Sequence, residues 1–539
     1  MEQALRLVGI RNYSTTDMTS LLDLKKLQSR LSNRSGRALS GLLTDYAGTA
    51  ISVGISFLVT PLLLTILSAP MYGFWITTAQ IIFFLNLADG GASIYLINSI
   101  AKSKEEGKNE HLAQLISTTF WLYVFMGVLV CGIGLVLAPF IATWLKINAA
   151  DSASATITFQ IAVFNAVLSL IVIPTFYGVL QGYQKLALVN GIVYSVSILS
   201  SLLSLGLLSM KMGVTAMALG QLIATMVGAS IASIYAKRVC PSLSFSPQHF
   251  RWSELRQILH FTGYFQMSKL AFLASTYSDT ILIASYYGTA PVAAYSITQK
   301  LPSTASMFMN KVGGMIMPGL SELFAAHDVA RLQVVVLRLT RLLVRFGLLS
   351  MFLVIALNKR FVYFWISPTV FGGIALTVLF AYSIFRNGLI RNLATLFFSS
   401  GQLKAWGWLS LLEAALKIPL TILLFPLVGL LAPVGASAIA ELLTGFYTPV
   451  RIAQLIELPL VTLLSQGVMP PLLLSLPTIG GLFLLDYLLP LHLGWLGIIC
   501  IGLCGILVNT LSFDRTRWSV LIKGLYDTVT NKRPKNRVI

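Results

Sequence analysis

Runs of roughly 20 or more mostly apolar residues recur along this chain, and such a run can cross a bilayer as a helix. The chain is 56% hydrophobic and only 11% charged, whereas an average soluble domain is about 25% charged. The short alternating segments that build a membrane β-barrel do not occur in the sequence. The pattern therefore predicts an all-α polytopic membrane protein.

The apolar runs divide into about fourteen transmembrane helices. They are predicted at 43–67, 72–99, 112–138, 156–181, 187–209, 213–236, 261–286, 291–320, 334–357, 369–398, 405–428, 433–453, 469–489 and 494–512. The predicted segments are a basic N-terminal segment (1–40), an N-lobe (41–237), a linker (238–260), a C-lobe (261–455), an extra helix pair (456–512) and a basic tail (513–539).

Lysine and arginine are distributed unevenly between the two sides of this arrangement. Of the 38 in the chain, 28 fall in the segments on the side of the N-terminus, and the opposite loops hold only Lys146, Lys211, Lys359 and Arg360. Because positive residues concentrate in cytoplasmic loops, both termini and the linker are predicted to be cytoplasmic. The same rule accounts for the net charge of +19 without a nucleic-acid partner.

Four charged residues lie inside the predicted spans 261–286 and 291–320: Lys269, Asp279, Lys300 and Lys311. Each costs at least ~2.5–3.5 kcal/mol in the middle of a bilayer, so each needs a partner or water. Asp279 and Lys300 fall at similar depth and could form an ion pair. Lys269 and Lys311 share a depth without a local carboxylate. Either they line an aqueous cavity that attracts an anion, or they snorkel to the interface.

A stripe of arginines enters the ninth span. Arg331, Arg338, Arg341 and Arg345 share one helix face, which suits either phosphate oxygens or anionic lipid headgroups. Arg386 and Arg391 lie in the tenth span, and their five-residue spacing predicts that at most one of them is central.

Buried carboxylates supply further candidates. Glu413 and Lys417 stand at i and i+4, which predicts a mainly structural pair. Glu441 lies among apolar neighbours and could carry a proton, and Asp89 precedes two glycines that allow close packing. No phosphate-binding glycine loop, metalloprotease motif or nucleophile elbow occurs, so we expect no catalytic residue, metal site or organic cofactor.

Two turns resemble each other within the chain. Ser68-Ala69-Pro70-Met71-Tyr72-Gly73 follows the first span, and Thr289-Ala290-Pro291 with Tyr295 follows the seventh. Both mark the outer turn of a helical hairpin. This similarity suits a transporter built from repeats.

Several motifs resemble those of a known family. They are Thr60-Pro61-Leu62-Leu63-Leu64, Pro70-Met71-Tyr72-Gly73-Phe74-Trp75, Asp89-Gly90-Gly91, and Asp279-Thr280-Ile281-Leu282-Ile283 with Gly288, Tyr295 and Pro318. They are similar to the two opening hairpins of the polysaccharide repeat-unit (O-antigen-type) flippases, which belong to the multidrug/oligosaccharidyl-lipid/polysaccharide exporter superfamily.

The resemblance implies two six-helix lobes arranged in a V around a cationic cavity. Such a protein would move undecaprenyl-diphosphate-linked oligosaccharide across a bacterial inner membrane by alternating access, for lipopolysaccharide or other surface polysaccharide. Polysaccharide polymerase and chain-length proteins would be partners, besides membrane lipids. H⁺, Na⁺ or the membrane potential would drive transport, with Asp89 or Glu441 as coupling candidates. The anionic headgroup would bind to cations among Lys269, Lys311, Arg341, Arg345, Arg386 and Arg391.

One departure from the family and three other functions stay open. Spans one to six carry no internal lysine or arginine, so a diphosphate clamp shared by both lobes is in doubt. A multidrug/cation antiporter of the same superfamily would line its cavity with carboxylates, and we expect an excess of cations instead. A peptidoglycan-precursor flippase would share the extra helix pair. A glycan polymerase or ligase would need a long outer loop, and all predicted outer loops are short.

Overall fold

The computed structural model describes residues 34–85, 91–105, 109–241, 243–489 and 494–511, and these contain helices but no strand. Asp89, most of the predicted N-terminal segment and the predicted tail 513–539 lie outside the described residues, as does the side chain of Lys269. The described chain is an all-α polytopic fold, as predicted.

Helices follow one another with short connections. In chain order they are α1 (Arg34–Ile66), α2 (Ala69–Leu85), α3 (Ala92–Glu105), α4 (Asn109–Leu137), α5 (Ile141–Trp144), α6 (Ala149–Val172), α7 (Gly178–Gly182), α8 (Leu186–Ser209), α9 (Thr215–Val239), α10 (Trp252–Tyr287), α11 (Ala290–Ala325), α12 (Val329–Trp365), α13 (Ile374–Leu393), α14 (Thr395–Ser399), α15 (Leu403–Val428), α16 (Ala432–Thr444), α17 (Tyr447–Leu455), α18 (Leu460–Thr462), α19 (Met469–Leu488) and α20 (Gly494–Leu511). Single π-helical turns join α6 to α7 (Ile173–Tyr177) and α18 to α19 (Leu463–Val468). Short 3₁₀ turns lie at Ala138–Phe140, Pro247–His249, Pro368–Val370 and Gly429–Leu431.

Nine helical stretches of the described chain are long and apolar enough to cross a membrane. Each of the fourteen predicted spans falls on a helix or on two consecutive helices, but the number fourteen stays a prediction. Helices α10 and α11, each 36 residues long, are not among the nine. Polar and charged side chains lower the hydropathy of both.

Contacts divide the chain into two compact units that alternate along the sequence. The first comprises the described parts of Met1–Thr60, Ala88–Val136 and Gln160–Phe261. The second comprises those of Pro61–Leu87, Leu137–Phe159 and Thr262–Ile539. The lobe boundaries inferred from the sequence stay predictions.

The first unit is packed through small residues. Helix α9 buries one every fourth position: Ala216, Gly220, Ala224, Gly228, Ala232 and Ala236. Residues four apart share a helix face, and small side chains let transmembrane helices approach closely. At Gly220 an added Cβ would lie 2.5 Å from Ser204 Oγ of α8, so the backbones meet there. The apolar core beside this stripe joins Ile100, Leu115 and Leu180.

The second unit has a larger apolar core, with Met309, Val336, Leu343, Ile384 and Phe397 at its centre. These residues come from helices α11 to α14, so the four helices pack as one group.

The two turns that resemble each other in sequence also lie together in the second unit. An added Cβ at Gly73, near the start of α2, would overlap the carbonyl oxygen of Thr289, just before α11. The glycine therefore allows these two helix starts to touch.

The final helices are joined to α12 by an ion pair. Arg360 Nε lies 2.7 Å from Asp486 Oδ1 of α19. Its Nη2 donates to the carbonyl oxygens of Asp486 and Leu489, each at 2.6 Å. Arg360, predicted in an outer loop, instead lies within α12 and is 4% exposed. The carbonyls that end α19 attract its charge.

Candidate functional site

Helices α10, α11, α13, α15 and α16 of the second unit line a polar cavity of about 180 Å³. The volume is below the ~300–1,000 Å³ typical of sites for drug-sized ligands. The cavity therefore suits water or a small polar group rather than a whole oligosaccharide.

Two ion-pair clusters line the cavity, and the first is centred on Lys417. Its Nζ lies 2.6 Å from Asp279 Oδ1 and also donates to the carbonyl oxygen of Ser275, so it ties α15 to α10. Tyr295 of α11 donates to Asp279 Oδ2 at 2.8 Å. The side chain of Lys417 is only 3% exposed. Asp279 thus forms an ion pair with α15 through Oδ1 and accepts a hydrogen bond from α11 through Oδ2.

The second cluster places one arginine between two carboxylates. Arg386 Nη2 lies 2.6 Å from Glu413 Oε1, and Nη1 lies 3.2 Å from Glu441 Oε1. Thr444 also donates to Glu413 Oε1, at 2.8 Å. Arg391 lines the same cavity, within electrostatic range of both glutamates. These contacts join α13 to α15 and α16.

The lining carries as many positive as negative side chains among the residues that the structure describes. The cations are Arg386, Arg391 and Lys417, and the carboxylates are Asp279, Glu413 and Glu441. The expected excess of cations is therefore wrong for this cavity. The lining cations lie next to carboxylates because burying an uncompensated charge costs several kcal/mol.

Both arginines of α13 line the cavity, although at most one was expected to be central. At about 100° per residue, positions 386 and 391 point about 140° apart around the helix. Asn387 and Ile390, which lie between these directions, also line the cavity. The helix thus exposes a wide face, with one arginine at each edge of it.

The two pairings predicted from the sequence are replaced by pairings between other helices. Asp279 pairs with Lys417 instead of Lys300, and Glu413 pairs with Arg386 instead of Lys417. Similar depth and an i, i+4 spacing were the grounds for the predicted pairs. Neither specifies which helix lies opposite, and the helix opposite provides the closer partner.

Four other predicted cations do not line this cavity. Arg341 Nε donates to the carbonyl oxygen of Gln466 at 2.7 Å, and Arg345 Nε donates to Asn509 Oδ1 of α20 at 2.9 Å. Both arginines therefore contact the C-terminal part of the described chain, Arg341 just before α19 and Arg345 at α20. Lys300 and Lys311 are half-buried on α11 and are not among the lining residues, although Lys300 directly follows Gln299, which is one of them.

Two site residues were missed in the sequence, Tyr295 and Thr444. Each donates a hydroxyl proton to a cavity carboxylate. Thr444 lies three residues after Glu441, so its place one turn along an apolar helix was a usable signal. Tyr295 follows Asp279 across the tight turn at Gly288 and was singled out only as part of a family motif.

A family model described as "Polysaccharide biosynthesis protein" matches residues 40–324, just over half of the chain. The chain belongs to this family.

This family member also shares its fold with solved transporters. A lipid II flippase MurJ, in an inward closed conformation, is 14% identical with a TM-score of 0.67, over 90% of this chain and 100% of the other. An inward-facing multidrug resistance MATE transporter of the MOP superfamily is 13% identical with a TM-score of 0.63, over 78% and 99%. The Vibrio cholerae MATE transporter VcmN in its bent form is 17% identical with a TM-score of 0.51, over 82% and 99%. A search of curated proteins gave no match.

Proposed function

We propose that this protein is a flippase for undecaprenyl-diphosphate-linked oligosaccharide repeat units, placed in a bacterial inner membrane with both termini in the cytoplasm. The observation that carries the proposal is a buried arginine shared by two carboxylates in a small polar cavity between membrane helices. Guanidinium groups bind phosphate and diphosphate oxygens through two parallel hydrogen bonds. Membership of a polysaccharide biosynthesis family supports a glycan cargo.

The cavity volume supports a division of this substrate into a bound headgroup and outlying parts. At about 180 Å³ the cavity accommodates the charged headgroup only. The isoprenoid chain and the sugars would lie outside it, in lipid and in water. Outward movement of the anionic headgroup is favoured by an inside-negative potential by about 2.3 kcal/mol per charge per 100 mV, so the mechanism needs no nucleotide. Polymerase and chain-length proteins would act on the flipped product.

A proteoliposome assay tests this function directly. The purified chain is reconstituted with fluorescent undecaprenyl-diphosphate oligosaccharide, and a membrane-impermeant quencher reports the fraction exposed outside. We expect flipping by the wild type and its loss in Arg386→Ala. The matched control is Glu322→Gln, which removes an exposed carboxylate of α11 away from the cavity and should flip normally.

The balanced lining charge favours one second candidate, a cation antiporter. A cationic substrate would bind to the carboxylates of the lining rather than to its arginines. Transport of ethidium by the same proteoliposomes, without flipping of the labelled lipid, would overturn the proposed function in favour of an antiporter. Flipping of labelled lipid II, with no movement of the oligosaccharide lipid, would instead identify a peptidoglycan-precursor flippase.

A further inference from the structure

Each terminal nitrogen of the Arg386 guanidinium faces a carboxylate in this structure. An anion that binds Arg386 through Nη1 therefore competes with Glu441 Oε1 for that nitrogen. We propose that Glu441 takes up a proton when the cavity binds an anion, and that this uptake frees Nη1 of Arg386 for the anion. The inference rests on the proposed function for the identity of that anion, a diphosphate.

The two glutamates are held unequally. Glu413 Oε1 accepts from Arg386 at 2.6 Å and from Thr444 at 2.8 Å. Glu441 Oε1 is 3.2 Å from Arg386, and its Oε2 is buried without a hydrogen-bond partner among the described residues. The side chain of Glu441 is 9% exposed. An ionised oxygen left unpaired at this depth costs more free energy than a protonated one.

Charged and titratable groups face Glu441 from every helix packed around it. They are Arg386, Arg391 and Tyr382 on α13, Glu413 and Lys417 on α15, and, behind Lys417 and Arg391, Asp279 and Tyr277 on α10. With every acid and base ionised, the lining sums to zero. An incoming anion makes it negative, and one proton on Glu441 cancels one of those charges. Proton uptake therefore reduces the cost of burying the anion.

The proton balance is simple. Water supplies a proton to Glu441 Oε2, which forms an O–H bond, and the ion pair between Glu441 and Arg386 becomes a weaker contact with a neutral acid. Arg386 keeps its own protons, because guanidinium does not deprotonate in proteins. Its Nη1–H then donates to an oxygen of the anion. Release of the anion returns the proton from Glu441 to water.

Isothermal titration calorimetry of the full chain in lipid nanodiscs tests this linkage, with inorganic pyrophosphate as the probe. Titrations in buffers of different ionisation enthalpy give the number of protons taken up on binding. Pyrophosphate exchanges protons itself, so the measured quantity is the difference between the wild type and Glu441→Gln. We expect the wild type to take up about one proton more, and its Kd to rise by up to about tenfold more per pH unit between about pH 6 and about pH 8. Glu322→Gln should behave as the wild type.

Infrared difference spectroscopy of the wild type adds a measurement that depends on no variant. Pyrophosphate should produce a protonated-carboxyl band, and the band should shift in D₂O. Equal proton uptake by the wild type and Glu441→Gln, no binding of pyrophosphate at either pH, or no carboxyl band would each overturn the inference. The proposed function fails separately. Flipping without proton linkage contradicts only the inference, and linkage without flipping contradicts only the function.

Discussion

The two units of the molecule bury polar groups in opposite ways. In the first unit, helix α9 packs on α8 through a stripe of glycine and alanine. The part-buried polar contacts of this unit include a carboxylate held by neutral groups: Tyr194 donates to Asp45 Oδ1 at 2.6 Å and lies 2.9 Å from Thr49 Oγ1. The described residues of this unit also include one ion-pair contact, 3.7 Å between His111 Nδ1 and Glu254 Oε1. The second unit instead surrounds one cavity with three cations and three carboxylates.

This difference indicates which unit is built for an ionic task. Close packing of small residues stabilises membrane helices through dispersion, without ionised groups. Buried ion pairs seldom add stability compared with apolar residues of the same size. Six ionisable side chains in one cavity are therefore better explained by a function than by the stability of the fold.

The largest effect is expected from Arg386→Ala. Removing the arginine leaves Glu413 and Glu441 facing each other, which should lower the free energy of unfolding by about 3–5 kcal/mol. Denaturant titration in detergent, followed by tryptophan fluorescence, measures the loss. Adding Glu413→Gln and Glu441→Gln to this variant should recover most of the stability but none of the flipping. A triple variant as unstable as Arg386→Ala would show that the charges are not the cause.

A smaller loss is expected from Lys417→Met, which leaves Asp279 without its cation. Tyr295 still donates to Asp279 Oδ2, so we expect a loss of about 2–3 kcal/mol. The same denaturant titration measures it. The double variant with Asp279→Asn should regain most of the loss, since no uncompensated charge then remains. If the double variant loses as much as the two single variants combined, the pair contributes net stability and the comparison between the units weakens.

Hydropathy predicted the positions of most helices closely, because the length of an apolar run can be read directly from the residue types. The span predicted at 187–209 is the helix Leu186–Ser209. The method fails where one helix ends and another begins within a single predicted span. The span predicted at 72–99 is two helices, Ala69–Leu85 and Ala92–Glu105, and the second follows Gly91 with a φ of 81°. Glycine tolerates that conformation, but a hydropathy window does not detect it.

The cavity residues were predictable as candidates but not as a network. Asp279, Glu413, Lys417 and Glu441 were singled out because an ionisable residue inside a membrane helix is rare. Their partners depend on which helices are neighbours, and spacing along one helix does not contain that information. The neutral partners, Tyr295 and Thr444, are harder still to predict, because a tyrosine or threonine in an apolar span is usually an ordinary packing residue.

The smallest predicted effect belongs to the first unit and tests the other half of the comparison. At Gly220 an added Cβ would lie 2.5 Å from Ser204 Oγ and 2.7 Å from Ser204 N, so Gly220→Ala forces α8 and α9 apart. We expect a loss of about 1–3 kcal/mol in unfolding free energy, as for other overpacked sites. The proton uptake measured with pyrophosphate should not change.

Gly206→Ala is the matched control, on the partner helix of the same pair. No atom lies within 4 Å of a Cβ added there. The alanine should be neutral or should stabilise α8 by up to about 1 kcal/mol through its better helix propensity. If both alanines had the same effect, close approach at Gly220 would not be what stabilises the first unit. If Gly220→Ala altered the proton uptake, the ionic task would not be confined to the second unit.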